Sequence, residues 1–504
     1  MPEPIRSILI VGGGTAGWMA AAALKRAVGP HCEVRLVESA EIGIVGVGEA
    51  TVPTIRTFNA MIGLDEAEFM RATQASLKLG IEFVGWGREG STYFHPFGVF
   101  GVGNDVAAFA QSWLRLKAEG RSERLEAYSI CAQAALRGRA GETSADPNSP
   151  MNGYQSAFHF DASLYARYLR GFCERIGVER VEGEIVEVIQ RPEDGFIDRV
   201  RLKDGRELAA DLFIDCTGFR GLLIEGALKA GYDDWSHWLP VDRAVAAPCA
   251  RVGPTTPFTR STAAEAGWRW RIPLQHRVGN GYVFASNWLS EERAKDDLVA
   301  ALDGELLAEP RVLRFLTGRR RKLWDRNVVA LGLSSGFIEP LESTSIHMIH
   351  VGIAKLLQHF PDKGFSPANI EIYNRRVGRE VEHVRDFVIL HYHATQRRDS
   401  DFWRHVADQP IPDSLAEKIE AFRDRGLLYA LTPDEYFQPT SWLAVMQGQG
   451  IEARGHNPLY DLGSLDRLAE QFTRMQAGFA RAAEALPMHD DHLRQAGLSS
   501  PVDA

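Results

Sequence analysis

Short apolar runs alternate with helical periods over the first two-thirds of the chain, and helical periods dominate the rest. Ser7-Ile8-Leu9-Ile10-Val11 is apolar and β-branched, which predicts a strand buried on both faces. Trp18 to Ala27 is rich in Ala and Leu and predicts a helix, and Val34-Arg35-Leu36-Val37 predicts a second strand ending at Glu38. Leu164 to Ile176 repeats at a helical period. Val181 to Ile189 and Phe196 to Leu202 predict two strands, with a turn at Asp204-Gly205 beyond them. Asp211 to Asp215 and Val328 to Gly332 are two further buried strands. Ile370, Tyr373, Val377, Val381, Val384 and Val388 share one helical face. Leu465 to Leu486 predicts another helix, capped by Ser464. Gly138 to Asn152 is small and polar and predicts an exposed loop. After Pro487 the tail is polar, and His489-Asp490-Asp491-His492 is expected in solvent. The pattern is that of an α/β chain, with a Rossmann-like part over 1–350 and a mostly helical part over 351–504.

The first turn carries candidate chemistry. Gly12-Gly13-Gly14-Thr15-Ala16-Gly17 fits G-x-G-x-x-G between the first strand and the first helix. Gly12 suits the tight turn, Gly14 the close approach of backbone to a pyrophosphate, and Gly17 the packing of helix on strand. The helix start offers free N–H groups to that anion. Glu38 falls about 20 residues further on, where a carboxylate accepts from a ribose hydroxyl. Strand, turn, helix, strand and acid in this order predict an adenine dinucleotide.

Composition narrows the class. The 504 residues are 45% hydrophobic, enough for a large core, and length alone suggests about three domains. The net charge of −9, with dispersed Lys and Arg, argues against nucleic acid. No apolar run reaches the roughly 20 residues of a membrane span. The N-terminus runs straight into the first strand, which leaves no room for a signal peptide and predicts a cytoplasmic protein. Cys32, Cys131, Cys173, Cys216 and Cys249 form no C-x-x-C and read as reduced thiols. His391-Tyr392-His393 offers two histidines that diverge on a helix with no carboxylate at ligand spacing, so no metal is expected.

Four segments carry a family resemblance. They are Gly12 to Trp18 with Gly46-Val47-Gly48-Glu49-Ala50-Thr51-Val52-Pro53; Ser76-Leu77-Lys78-Leu79-Gly80 leading to Phe83-Val84-Gly85-Trp86; Trp268-Arg269-Trp270-Arg271-Ile272-Pro273; and Gly336-Phe337-Ile338-Glu339-Pro340-Leu341-Glu342-Ser343-Thr344-Ser345-Ile346. Together they resemble the flavin-dependent tryptophan halogenases, whose W-x-W-x-I-P signature the third segment matches at every fixed position. The resemblance runs from the glycine turn to at least Ile346, and more loosely through the helical C-terminus. It implies an FAD-binding fold of the flavin-monooxygenase type with interleaved substrate segments, the helical part covering the substrate site. It also implies a reaction in which reduced FAD and O2 oxidise chloride or bromide. The hypohalous acid formed then passes through an interior tunnel to a separate aromatic site. A separate flavin reductase supplies FADH2, and a homodimer is left open.

Residue by residue, Lys78 matches the family's active-site lysine and Glu342 its active-site glutamate. Thr344 and Ser345 match the halide-binding backbone, although some members have glycine where this chain has Ser345. A serine there is strained if φ must be positive. His95-Pro96-Phe97 resembles the segment that flanks the indole ring. FAD contacts are implied for Gly12, Gly14, Thr15, Ala16, Gly17, Glu38, Val47, Gly48, Ala50, Val186, Asp215, Leu333 and Ile346. Lysine titrates near 10.4 in water, so burial would have to tune Lys78. Taken alone, a lysine is far more often a solvated charge. Trp268 and Trp270 share one strand face and read as a wall beside the flavin. Where the family grips an amino-acid tail with two tyrosines, Thr440 to Val445 has no tyrosine pair, and Trp442 is expected to line the pocket instead. Free indole or a simple indole derivative is therefore the expected substrate. Two alternatives remain: an FAD-dependent aromatic hydroxylase, against which stands Leu333 after Gly332 where such enzymes carry Asp, and a catalytically silent flavin-binding protein.

Overall fold

The structure is a computed structural model that describes residues 3–39, 48–103, 105–146, 149–432 and 434–499. Val47, expected to contact the cofactor, lies outside the described residues. Among those described, two large sheets organise the chain. In the first, Ser7–Val11 lies between Glu33–Glu38 and Leu212–Asp215, all parallel. Glu179–Glu182 and Val328–Ala330 extend the parallel set, and Trp324–Asp325 adds an antiparallel edge. Residues 8–10 are fully buried, as expected of a strand with helices on both faces. Helix Thr15–Val28 follows the glycine turn and buries Trp18 through Leu24.

The second sheet has seven strands. The hexapeptide strand, Gly267–Pro273, sits between Val278–Phe284 and Thr259–Ala264, both antiparallel to it. Trp270 faces Gly281 across this pairing, and a Cβ on Gly281 would lie 2.1 Å from the indole. A small three-stranded sheet packs against the second large one. Its central strand Ala157–Asp161 pairs with Gly48–Ala50 on one side and Ser76–Lys78 on the other. Lys78 thus stands on a strand one step removed from Gly48–Ala50.

Most of the helical reading holds. The long helix spans Pro367–His393, and Leu465–Ala485 is capped by Ser464, which accepts from the Arg467 amide. The segment from 179 to 202 forms three strands rather than two, because Gly183 and Glu184 break it into Glu179–Glu182 and Ile185–Gln190. Two surface expectations are corrected. Ala140, in the supposed exposed loop, is fully buried, and Arg139 bridges to Met488. His489 is only 1% exposed; its Nε2 accepts from the Leu77 amide at 3.1 Å and its Nδ1 donates to the Thr255 carbonyl at 3.0 Å. Burial pushes this imidazole down to about 4, so it stays neutral and keeps both bonds. The tail thereby ties down the strand that carries Lys78.

Candidate active site

A cavity of about 850 Å³ opens at the carboxyl ends of the parallel strands, near the upper limit of ordinary small-molecule sites of roughly 300–1,000 Å³. Gly12 has φ +111°, and a Cβ there would meet the Cys216 carbonyl oxygen at 2.3 Å. Gly17 packs against the Gly12 carbonyl in the same way, 1.9 Å from a notional Cβ. Gly14 is different: a Cβ on it would meet nothing within 4 Å, and the residue lines the cavity with Thr15 and Ala16. The following helix has no side-chain cap, so its first N–H groups remain free for an anion. Glu38 lines the cavity and is held by Arg180 at 2.5 Å. This cradle fits FAD. By the family resemblance, bound and reduced FAD would supply, with O2, the two-electron oxidant that converts halide to hypohalous acid.

Gly48, Ala50, Leu333 and Ile346 also border the cavity, as do both hexapeptide tryptophans. Three expected cofactor residues do not: Gly17, which packs behind the turn, Val186 and Asp215. Val186 is 57% exposed and its neighbour Ile185 lines the cavity instead, since a shift of one residue along a strand exchanges faces. Asp215 is fully buried, and its carboxylate accepts from the amides of Thr217, Leu223 and Ile224 and from the Thr217 hydroxyl. It caps a helical turn, and the next residues, Cys216 to Phe219, face the cavity. Glu49, for which no sequence motif gives a role, also lines the cavity, and burial pushes its carboxyl up to about 7.

Thr344 and Ser345 line the cavity where helix Ser345–Gln358 begins, again without a side-chain cap. The anticipated strain is not at Ser345, which is the first helical residue. It falls at Ser343, with φ 60° and ψ 34°. Ser343 also lines the cavity, and its hydroxyl accepts from Lys78 Nζ at 2.8 Å. The ammonium nitrogen makes a second bond to the Thr51 carbonyl at 3.0 Å and lies 5.1 Å above the Phe97 ring. Lys78 is completely buried. Burial pushes it down, the nearby Glu342 carboxylate opposes this, and the balance leaves it at about 7. One serine therefore separates the cavity from a lysine that is half neutral near physiological pH.

Glu342 is buried beside two imidazoles. His95 Nδ1 lies 3.0 and 2.9 Å from its two oxygens. His391 Nε2 approaches Oε1 to 2.8 Å at an angle poor for a hydrogen bond. Burial pushes the Glu342 carboxyl up, but His95 and His391 outweigh it and hold the group at about 2. His391 leans on Tyr93 Oη at 3.0 Å, and Gln449 donates to the His391 carbonyl at 3.0 Å. The site's aromatic side consists of His95, Phe387 and Phe437, the two phenylalanines stacked with centroids 3.8 Å apart. Pro96 ends the strand that presents His95. Trp442 stands one layer back: its ring meets Phe387 edge-on at 5.1 Å, its N–H donates to the Phe437 carbonyl, and Lys418 lies 4.2 Å over its face. His391, considered in the sequence only as a metal ligand, meets the carboxylate of Glu342, 49 positions away in the chain. Its signal was a polar ring continuing the apolar stripe of Val384 and Val388.

The arrangement can be set beside known proteins. Residues 7–464 match the family model for tryptophan halogenase. The chain is 36% identical to tryptophan 6-halogenase SttH of Streptomyces toxytricini, over 97% of this chain and 98% of that protein. Two solved structures superpose closely. Xcc4156, a flavin-dependent halogenase from Xanthomonas campestris, is 45% identical with a TM-score of 0.96, covering 99% of this chain and 100% of that one. BrvH, a flavin-dependent halogenase from Brevundimonas sp. BAL3, is 44% identical with a TM-score of 0.94, covering 98% and 99%. A dinucleotide cradle, a tryptophan-walled cavity and a buried lysine–glutamate site behind it thus occur in a chain that belongs to the tryptophan halogenase family of flavin-dependent enzymes.

Proposed function

We propose that this halogenase acts on a small electron-rich arene without a charged tail, indole or a simple indole derivative. Reduced FAD comes from a separate reductase, and Lys78 and Glu342 carry out the transfer. The observation that carries the site assignment is the bond from Lys78 to Ser343, which puts a reactive amine against the cavity wall but outside the cavity. As a neutral amine, Lys78 spends its two N–H bonds on Thr51 and Ser343 and keeps a lone pair for an electrophilic halogen. As an ammonium it keeps a third N–H for the hypohalous oxygen. Glu342, ionised between its imidazoles, stabilises the positive charge of the attacked ring and receives its proton. Thr344 and Ser345 offer backbone N–H groups to the halide.

The tail argument rests on charge. A zwitterion in a buried site needs partners for both ends, and the helix Pro439–Gly448 carries no tyrosine. With no tail to fix another carbon, halogenation is expected at C3, the most electron-rich position of indole. Bromide, the easier ion to oxidise, should serve at least as well as chloride. The test is a one-pot competition between indole and L-tryptophan with FAD, NADH, a flavin reductase and either halide, read by mass spectrometry. Haloindole should predominate. Free L-tryptophan outcompeting indole would overturn the tailless reading and favour the substrate named in SttH.

A control in the same assay makes a further prediction. NADH and FAD without reductase should give no product, and any competent reductase should restore it. Sustained NADH consumption by this chain alone would refute the dependence.

A further inference from the structure

The hexapeptide strand and the turn bearing Glu342 meet at one buried oxygen. Trp268 Nε1 donates to Glu339 Oε2 at 2.6 Å, and the Tyr392 hydroxyl donates to the same oxygen at 2.8 Å. Glu339 and Tyr392 are fully buried and Trp268 is nearly so. The other carboxylate oxygen, Oε1, has no partner. Three separated parts of the chain converge here: the strand that walls the cavity, the long helix Pro367–His393, and the turn that runs through Pro340–Glu342 to Ser343. Tyr392 directly follows His391, which abuts Glu342. A wall needs only aromatic bulk, and phenylalanine would provide it. A core needs no carboxylate, because a buried acid with a free oxygen costs stability. Glu339 with its two donors makes sense as a device that holds geometry.

We propose that Glu339 is a positioning residue, which fixes the Glu342–Ser343 turn against the cavity wall and the long helix so that oxidant made in the cavity is delivered to Lys78 and the arene rather than lost. The proposal rests on the halogenase activity of the family and not on the choice of arene. It gives the tryptophan of the hexapeptide a specific task, that of hydrogen-bond donor.

The test measures how oxidant is partitioned. Glu339→Ala, Glu339→Gln and Tyr392→Phe are supplied with reductase-generated FADH2, bromide and indole. Halogenated arene is quantified by mass spectrometry, escaping hypobromous acid by an added thiol, and FAD affinity and Tm are recorded alongside. In Glu339→Ala the share of oxidant that reaches the arene should fall by about tenfold or more, since displacements near 1 Å cost up to roughly 100-fold. Arene product and trapped oxidant together should change much less. Glu339→Gln, whose carbonyl oxygen still accepts both bonds, should recover most of the coupling, and Tyr392→Phe should lose part of it. Wild-type coupling in a folded Glu339→Ala, or no recovery in Glu339→Gln, would overturn the proposal. If Glu339→Ala does not fold, undiminished coupling in Tyr392→Phe would overturn it. Wild-type enzyme that makes hypobromous acid but no haloindole would instead count against the indole reading, and coupling would then be read on L-tryptophan.

Discussion

Lys78→Ala should abolish arene halogenation, by on the order of 1,000-fold or more, while reduced FAD still reacts with O2. Lys78 is not among the residues that line the cavity, and among the described residues its side-chain bond to a lining residue is the one to Ser343, so the substitution should leave the flavin's surroundings in place. Product formation and oxygen consumption, measured together, separate the two steps; substantial residual haloarene in the variant would refute the assignment. Lys78→Arg sharpens the test. Arginine keeps the charge and the donors but has no lone pair at any working pH, so activity in this variant would rule out a halogenated amine as an obligatory carrier. The pH profile has a definite sign. With Lys78 held at about 7, the lone pair is available above that pH and lost below it, so a route through a halogenated amine should lose rate as pH falls through 7.

The same shift has a cost for stability. Lys78 titrates lower in the folded chain than in the unfolded one, so the folded state holds fewer protons between pH 7 and the ordinary lysine range. The burial penalty is fully present below pH 7 and fades as pH rises towards 10.5. A Lys78→Met variant should therefore melt no lower than wild type at pH 6, even though it loses two hydrogen bonds.

Glu342→Gln should reduce turnover by about 100-fold or more with a smaller effect on KM. The carboxylate is the only anion described between His95 and His391, and removing its charge leaves two buried imidazoles facing an amide. Because Glu342 is held at about 2, its folded value lies below its unfolded one. Its stabilising contribution is present above the normal carboxylate range and is lost as pH falls towards 2. Above pH 5 it adds no acid limb to the rate profile. An acid limb near pH 4.5 in the wild-type enzyme that vanishes in Glu342→Gln would contradict this electrostatic account.

What was legible in the sequence was local. The glycine turn, its flanking strands and the hexapeptide each show their structural role within a few residues, because tight turns and strand alternation are short-range demands. Lys78, Glu342 and Thr344-Ser345 could be picked out by family motif alone. The partners that set their chemistry were not legible. His391 reaches Glu342 from a helix distant in the chain and is itself held by Tyr93, and Glu339 is defined by donors from two other elements. Val186 stands one position from the lining residue Ile185, the phase shift to which a strand is always exposed. Asp215 sat at the right strand end, but whether its carboxylate turned towards the ligand or towards the amides behind it depended on a helical turn that had not been foreseen. His489 shows that a polar composition near a terminus does not preclude burial when two backbone groups need a neutral imidazole.

The left-handed backbone at Ser343 has a practical consequence for engineering. Outside glycine, this conformation carries a strain of about 1–2 kcal/mol, and any procedure that improves thermostability by local backbone preference would place glycine there. Glycine would relax the turn and remove the hydroxyl that accepts from Lys78 at the border of the cavity. At this position the residue that fits the chain and the residue that serves the chemistry differ. A more heat-resistant version of this enzyme would have to gain its stability elsewhere and leave this one strained serine untouched.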